Sequence, residues 1–477
     1  MEYIIKNRQP QRLFEIFEEI CSMPHGSGNE EQIAKYIEAT AKKNGCFCLR
    51  DEANNVFVRV EGSCGRENED AVLLQGHTDM VCEKNSNTVH DFEKDGLKLE
   101  LDGKWLRAKG TTLGADNGVA VALMLAIIEG ELESHPPVEC LFTTSEEVGL
   151  DGAKAFDYSV VKATGMINLD SEEEGVVTVS CAGGVRSDLS YKATRVAFKG
   201  NSYEIKISGL VGGHSGVEIN CGRANANKLM GRLIFEISKK TSVNISYIEG
   251  GSKDNAIPRE CRAIVAVGDE CIALDIFSSL RDAITAEMRE CDKGIEMSMK
   301  KTDKPSVMID GEGSRNIITV MNLSANGVFA MSEGIDGLVE FSRNLGTVKT
   351  VGDKVEIIFS SRSSVESFID ASQSELDCLA LMTGCTVKHY SRYPGWKYEK
   401  DSPLRDKYVA VARECFKKEP IVMAIHAGLE CGIIKSHIHN MDMISIGPNM
   451  VGIHSPDEAL DLDSMERFWV IIKEMLK

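Results

Sequence analysis

The sequence predicts an α/β fold in which a mixed, largely parallel sheet lies between helices and is interrupted by an inserted α+β domain with an antiparallel sheet. The first observation behind this prediction is a set of near-continuous apolar runs, among them residues 71–74, 139–144 and 165–169. Apolar runs of about four to eight residues are typical of strands that are buried on both faces of a parallel sheet.

The second observation is a change of pattern in the middle of the chain. Segments such as 202–207 and 355–359 alternate apolar and polar residues, with helical stretches between them. Alternation favours antiparallel strands that have one solvated or helix-covered face. We therefore expect residues 1–187 and 393–477 to form one discontinuous α/β domain, with residues 188–392 inserted as a second domain.

The composition is that of an ordinary globular protein. The 477 residues suffice for two or three domains, and the formal net charge of −19 argues against nucleic acid and anionic membranes as partners, because both would repel the chain. No run of about eighteen apolar residues occurs, and the first residues lack the apolar core of a signal peptide. The fifteen cysteines contain no CxxC pair and are odd in number, which indicates reduced thiols. These features predict a cytoplasmic protein.

Acids and histidines follow the apolar runs at the points where the predicted strands end. Because the carboxyl ends of parallel strands meet at one edge of a sheet, side chains that follow them can meet in space. The residues are His77 and Asp79 in LLQGHTD, Asp116 in GTTLGADNG, Glu146 and Glu147 in TTSEEVG, Asp170 in INLDSEEEG and His454 in GIHSPDE.

This set of donors fits a pair of zinc ions. Zinc binds imidazole nitrogen and carboxylate oxygen at about 2.0–2.2 Å, and two ions roughly 3.5–4 Å apart need a bridging carboxylate with terminal ligands on each side. We assign Asp116 as the bridge. His77 and Asp170 complete one site, and Glu147 and His454 complete the other. The sequence thus predicts a hydrolase with two Zn²⁺ per chain, for which Co²⁺ or Mn²⁺ could substitute.

Two further acids are predicted to be catalytic. In an extended segment, residues i and i+2 point to the same side, so Asp79 can orient the imidazole of His77. Adjacent side chains diverge, so Glu146 can act as general base for the attacking water while Glu147 binds metal.

Each motif taken alone also has a simpler interpretation. Acids crowd protein surfaces, so an isolated HxD or Glu-Glu sequence is usually a solvated turn or a helix cap. Asp116 or Asn117 could cap the apolar helix predicted over 119–128, and His454 could be a hydrogen-bonded loop histidine. The occurrence of all these motifs in one chain favours the metal site.

The motifs resemble those of the di-zinc peptidases, the family that contains bacterial carboxypeptidase G, acetylornithine deacetylase and carnosinase. GHTDMVCEKN, GTTLGADNG, TTSEEVGLDGA, INLDSEEEG and GPNMVGIHSPDE are most similar to its aminoacyl-histidine dipeptidases, and the similarity covers essentially the whole chain. The resemblance implies the same five metal ligands, catalytic roles for Asp79 and Glu146, and a cis peptide after Asp116. It also implies a zinc-peptidase catalytic domain with the inserted domain as its lid, and it leaves both a monomer and a homodimer open.

Beyond the metals, the resemblance implies four residues that contact the substrate. His214 in GLVGGHSG would donate to the scissile carbonyl, from its own subunit or from a partner's. Arg362 in FSSRSS would hold the C-terminal carboxylate of a peptide in a bidentate pair. Asn255 in DNAIPRE and Gly428 in HAGLECG match segments that line the substrate cleft. A loop histidine and a surface arginine are the alternatives for the first two.

The predicted function is metal-dependent hydrolysis of small peptides, namely dipeptides with free termini that include Xaa-His and β-alanyl-histidine. The closer alternative is an amidohydrolase of the same fold that acts on N-acyl amino acids. The more distant one is a binding or scaffold protein that keeps the fold without catalysis, and Glu146 argues against it because a binder needs no general base. HExxH, GxSxG and P-loop sequences are absent from the chain.

Overall fold

A computed structural model describes residues 2–197, 201–303, 305 and 307–477. By their internal contacts, the residues divide into two units. The first unit comprises Met1–Ser180, Tyr398–Ala424 and Leu429–Lys477, and the second comprises Cys181–Lys397 and Ile425–Gly428.

The helices are numbered in chain order. They are α1 (Gln11–Cys21), α2 (Glu31–Lys43), α3 (Ala115–Ile128), α4 (Asp151–Ala155), α5 (Ala226–Ser238), α6 (Glu270–Glu287), α7 (Gly311–Leu323), α8 (Glu366–Thr383), α9 (Pro403–Phe416), α10 (Glu430–His437) and α11 (Leu462–Met475). In the described part of the chain, none of them is both long enough and apolar enough to cross a membrane.

The strands are numbered in the same way. They are β1 (Phe47–Arg50), β2 (Val56–Val60), β3 (Val72–His77), β4 (Leu99–Asp102), β5 (Trp105–Ala108), β6 (Val138–Thr143), β7 (Gly165–Asn168), β8 (Val176–Cys181), β9 (Gly183–Lys192), β10 (Arg195–Val196), β11 (Asn201–Ser208), β12 (Gly213–His214), β13 (Val243–Gly250), β14 (Ala256–Ile257), β15 (Cys261–Val267), β16 (Glu296–Lys301), β17 (Met308–Ile309), β18 (Gly327–Met331), β19 (Val339–Val351), β20 (Lys354–Ser363), β21 (Thr386–Tyr393), β22 (Ile421–Ile425), β23 (Asp442–Ser445), β24 (Met450–Val451) and β25 (Ala459–Asp461).

The main sheet of the first unit has the strand order β1-β2-β6-β3-β7-β23-β8-β22. Its centre is parallel, because β3 pairs in parallel with β6 and β7, and β7 pairs in parallel with β23. The pairs β1–β2, β2–β6 and β23–β8 are antiparallel, so the sheet is mixed, as predicted. Strand β6 is buried along its whole length, which explains its near-continuous apolar run. A four-stranded antiparallel sheet, β24-β25-β5-β4, belongs to the same unit.

Helix α3 places Asp116 against the end of β3. Its residues from Asn117 to Ile128 are all buried, as expected for a helix that is apolar almost all round, and it packs against α1 and β3. Gly76 permits this close approach, because a Cβ atom there would lie 2.2 Å from Asn117 Oδ1 and 2.4 Å from Ala120 Cβ. The strand therefore needs a glycine next to His77.

The second unit is built on an antiparallel sheet with the order β16-β11-β15-β13-β19-β20-β9-β21, in which β18 also pairs with β19. Helices α5, α7 and α8 pack on strands of this sheet, and their apolar side chains share one buried core with it. The predicted α+β architecture of the inserted part is therefore confirmed.

Helix α11 offers a direct test of the described burial. Ile471 is 1% exposed, whereas its neighbour Val470 is 45% exposed. We expect Ile471→Ala to lower the free energy of unfolding by about 2–5 kcal/mol, because the lost side chain leaves a cavity. Val470→Ala is the control and should change it by no more than about 0.5 kcal/mol. Urea unfolding followed by circular dichroism measures both, and equal losses would contradict the orientation of the helix.

Candidate metal centre

The carboxyl ends of three parallel strands carry most of the predicted ligands. His77 is the last residue of β3 and pairs with Thr143, the last residue of β6, three residues before Glu146. Asp170 follows the end of β7 by two residues. Because β3 lies between β6 and β7, the three segments that leave these strands begin at one edge of the sheet.

The carboxylate of Asp116 is shared between two groups of donors. Its Oδ1 lies 3.0 Å from His77 Nε2, and its Oδ2 lies 3.2 Å from His454 Nε2. His77 Nε2 lies 3.4 Å from Asp170 Oδ1, and His454 Nε2 lies 2.8 Å from Glu147 Oε1. Donor atoms of His77, Asp116 and Asp170 lie within 4.8 Å of one another, and so do those of Asp116, Glu147 and His454. The structure thus brings all five predicted ligands into two triplets that share Asp116.

These triplets fit two divalent cations. Each offers one imidazole nitrogen and two carboxylates, which is a donor set suited to zinc, cobalt or manganese. Burial, together with the charge of Asp116, raises the pKa of Asp170 to about 7 against the opposing effect of His77. Carboxylates packed so closely repel one another in a buried site, and bound cations would remove that penalty.

Asn117 fixes the backbone around Asp116. Its side-chain Oδ1 accepts a hydrogen bond from the backbone N–H of His77 at 3.2 Å, and its Nδ2 donates to the carbonyl of Leu169 at 2.7 Å. The Asp116–Asn117 peptide is cis, as the resemblance implied, and both residues have non-helical backbone angles. Asn117 therefore connects the bridge with the ends of β3 and β7, a role beyond the helix cap considered from the sequence.

Glu458 holds the turn that precedes Asp116. Its buried carboxylate accepts hydrogen bonds from the backbone N–H groups of Leu113, Gly114 and Ala115 at 2.7, 3.2 and 2.8 Å. Sequence reasoning missed this residue, although it lies four positions after His454 in the same motif. The available signal in the sequence was an additional acidic residue in the motif that supplies His454.

Asp79 contacts both His77 and the Glu pair. The Nδ1 atom of His77 lies 2.9 Å from the backbone carbonyl oxygen of Asp79 and 3.4 Å from its carboxylate. Because a carbonyl only accepts, Nδ1 carries the proton of the neutral ring and Nε2 is left for a metal. The Asp79 carboxylate accepts from the backbone N–H of Glu146 at 3.0 Å and of Glu147 at 3.3 Å, and from the Ser27 hydroxyl at 2.8 Å.

Glu146 has the electrostatic character of a proton carrier. Burial, together with the charges of Asp170, Glu430 and Glu147, raises the pKa of Glu146 to about 9 against the opposing charge of His77. Cations held by the neighbouring ligands would lower that pKa towards neutrality. A carboxyl group that exchanges a proton near neutral pH suits general acid–base catalysis.

In the second unit, His214 is held as a neutral hydrogen-bond donor. Its Nδ1 accepts hydrogen bonds from the backbone N–H groups of Gly216 and Val217, each at 3.2 Å. The proton of the ring must therefore be on Nε2. Burial and the positive charge of Arg362 lower the pKa of His214, which keeps the ring neutral.

Arg362 and Gly428 meet at Tyr393 within the same unit. Arg362 is 9% exposed, and its Nη1 donates to the Tyr393 hydroxyl at 3.0 Å. Its Nε has no hydrogen-bond partner among the described residues. A Cβ atom on Gly428 would lie 2.8 Å from Tyr393 Cε2, so a larger residue there would displace the Tyr393 ring. The backbone carbonyl of Asn255 accepts a hydrogen bond from the backbone N–H of Ser215, beside His214.

His426 interacts electrostatically with Arg362 and His214. The sequence did not identify it as a candidate site residue. Burial and the charge of Arg362 lower its pKa to about 3, so it is neutral. Its Nε2 lies 2.7 Å from the Ser342 hydroxyl. Its position two residues before Gly428, in HAGLECG, was the available signal.

Comparison with known proteins agrees with this geometry. Residues 73–477 match the model of peptidase family M20/M25/M40, a span that includes every residue of both triplets. The chain belongs to this family. The family resemblance found in the motifs is therefore confirmed. As a member of the M20 family with a dipeptidase relative, this protein is a metallopeptidase.

Two relatives cover almost the whole length of this M20 peptidase. Cytosol non-specific dipeptidase of Escherichia coli (strain K12) is 38% identical over 474 residues, which span 98% of this chain and 97% of that protein. The crystal structure of aminoacylhistidine dipeptidase from Vibrio alginolyticus has a TM-score of 0.94 and 35% identity, and covers 98% of this chain and 97% of that one. Aminopeptidase PepT from Bacillus cereus ATCC 10987 shares the fold, with a TM-score of 0.56, 16% identity and coverage of 98% and 100%.

The shared position of Asp116 leads to a prediction about metal content. We expect the protein to retain two divalent cations per chain after dialysis, Asp116→Ala to lose both, and His454→Ala to retain one, because Asp116 serves both triplets and His454 only one. Asp91→Ala removes an exposed acid outside the triplets and is the control. Elemental analysis by mass spectrometry counts the ions. Two ions in Asp116→Ala would rule out the shared bridge.

Proposed function

We propose that this metallopeptidase hydrolyses the peptide bond of dipeptides with free amino and carboxyl termini, Xaa-His and β-alanyl-histidine among them. The observation that carries the proposal is the pair of donor triplets sharing Asp116, with Glu146 beside them. The printed names of two relatives, a non-specific dipeptidase and an aminoacylhistidine dipeptidase, support this substrate class. A cytoplasmic location is part of the proposal and is supported by the cysteine pattern.

The two triplets are the residues that would hold the metals. His77, Asp116 and Asp170 would bind one ion, and Asp116, Glu147 and His454 the other. Two Zn²⁺ ions, or Co²⁺ or Mn²⁺ in their place, would lower the pKa of a water molecule and polarise the scissile carbonyl.

Glu146 is assigned to proton transfer. Its carboxylate takes a proton from the attacking water and later returns it to the amine that leaves. Asp79 serves this step by fixing the backbone of Glu146 and the ring of His77. Without that support, the carboxylate would have no defined position relative to the water.

His214 is assigned to the carbonyl oxygen of the scissile bond. Its Nε2–H donates to this oxygen and continues to donate as negative charge develops on it. The hydrogen bonds to Nδ1 support this assignment, because they select the tautomer in which Nε2 is the donor. A neutral ring also leaves Arg362 as the cation for the substrate's carboxylate.

The charges of the site indicate which residues would bind the two termini of the substrate. Arg362, with an unpartnered Nε, is assigned to the free carboxylate, and Asn255 and Gly428 to the walls of the cleft. The first unit offers a surplus of acids near the triplets, including Glu172, whose pKa is raised to about 7 by burial and by Asp116. Such surroundings favour a substrate with a free ammonium group over an N-acylated one.

Substrate assays on metal-stripped protein test the proposal. We expect β-alanyl-histidine and α-dipeptides to be cleaved only after Zn²⁺ is added, and the C-terminal amide of the same dipeptide to be cleaved at least about tenfold less efficiently, because it lacks the charge that Arg362 pairs with. Liberated amino acids are measured by chromatography. N-acetyl amino acids are the comparison set, and their preferential cleavage would replace the dipeptidase by the N-acyl amidohydrolase.

The role of Glu146 is tested by one conservative change. Glu146→Gln should retain two metals and lose about 10²–10⁴-fold in kcat, because the amide cannot take a proton from water. Glu52→Gln, an exposed glutamate of the same unit, is the control for the loss of one charge. Full turnover in Glu146→Gln would exclude the general-base assignment.

A further inference from the structure

A buried polar network connects the central strands of the main sheet with helix α10. It consists of Gln75, Thr143, Asn168 and Glu430, all with 0% exposure. Asn168 Nδ2 donates to Gln75 Oε1 at 2.7 Å, and Gln75 Nε2 donates to Glu430 Oε2 at 2.5 Å and to Thr143 Oγ1 at 3.1 Å. The Thr143 hydroxyl donates to the same Glu430 oxygen at 2.7 Å.

Three of these residues lie on the three strands that lead to the ligands. Gln75 is on β3, two residues before His77. Thr143 ends β6, and Asn168 ends β7, two residues before Asp170. Glu430, the first residue of α10, comes from outside the three strands and accepts from two of them with one oxygen atom. The amide of Gln75 extends the connection to the third strand.

Burying this polar network costs more free energy than a role in stability alone would explain. A carboxylate loses several kcal/mol of hydration when buried, and the other oxygen of Glu430 has no hydrogen-bond partner among the described residues. Apolar side chains of similar volume would fill the same space at lower cost. The arrangement is therefore better explained by the relative placement that it imposes on the strands.

We propose that Glu430 is a positioning residue of the metal centre, whose Oε2 atom locks β3, β6 and β7 together so that His77, Glu147 and Asp170 keep the spacing needed for two cations. The proposal rests on the metal binding proposed above. Removing the acceptor oxygen would let the strand ends shift by fractions of an ångström, and residues that support metal ligands typically contribute about 10–100-fold to metal affinity.

The test is Zn²⁺ affinity, measured by chelator competition on metal-stripped full-length protein, with thermal melting alongside. We expect Glu430→Leu to weaken binding of at least one ion by about tenfold or more, and Thr143→Val, which removes one hydroxyl at constant shape, to weaken it in the same direction by about threefold or more. Glu430→Gln keeps an acceptor oxygen and should stay within about threefold of the unchanged protein.

Glu139→Leu is the matched control. Glu139 is equally buried and lies at the other end of β6, where it accepts from Arg59 and from the backbone N–H groups of Lys162 and Ala163. Its loss should lower the melting temperature while leaving Zn²⁺ affinity within about twofold, since no ligand follows that end of the strand.

The outcomes separate the two proposals. Unaltered affinity in both Glu430→Leu and Thr143→Val, or an equal loss in Glu139→Leu, would overturn the positioning role. If Glu430→Leu shows no cooperative melting, Thr143→Val decides alone. An unchanged protein that binds fewer than two Zn²⁺ ions would instead refute the proposed function, whatever the variants do.

Discussion

The carboxylate of Asp116 is the contact on which the site depends. One of its oxygens faces His77 at the end of β3, and the other faces His454 near the C-terminus. Its position is determined by the groups around it: Gly76 leaves room for α3, Asn117 connects the strand ends, and Glu458 gathers the preceding backbone. The end of β3 and the segment that carries His454 are remote in sequence, and both contact the side chain of Asp116.

Charge is the second constraint on the molecule. The centre gathers carboxylates in a buried region of a chain whose net charge is already −19, and burial raises the pKa values of Glu146 and Asp170. Such a cluster is unfavourable without cations, so ion binding and stability of the first unit are linked: an ion that binds only the folded chain stabilises it by mass action. The proposal of a substrate with a free amino group rests on this same surplus of negative charge.

Much of the fold and the ligand set could be predicted because both follow from strong local signals. Strands buried on both faces must be apolar throughout, and metal chemistry restricts the donors to a few residue types. The structural roles of Asn117, Glu430 and Glu458 were not predicted, because a polar residue in a sequence resembles a surface residue until its partners are known. For Asp79, strand geometry places the residue beside His77, but only the structure distinguishes its carbonyl from its carboxylate.

The donor residues of the two triplets become available at different stages of translation. His77, Asp116 and Asp170 all lie in the first 180 residues, whereas His454 and the strand β23 that flanks β7 are translated only after the second unit. The donors of one triplet are therefore present on a nascent chain before those of the other. Under the proposed mechanism, in which a water molecule is held between two ions, the peptidase would therefore be inert until the segment that carries His454 has been translated.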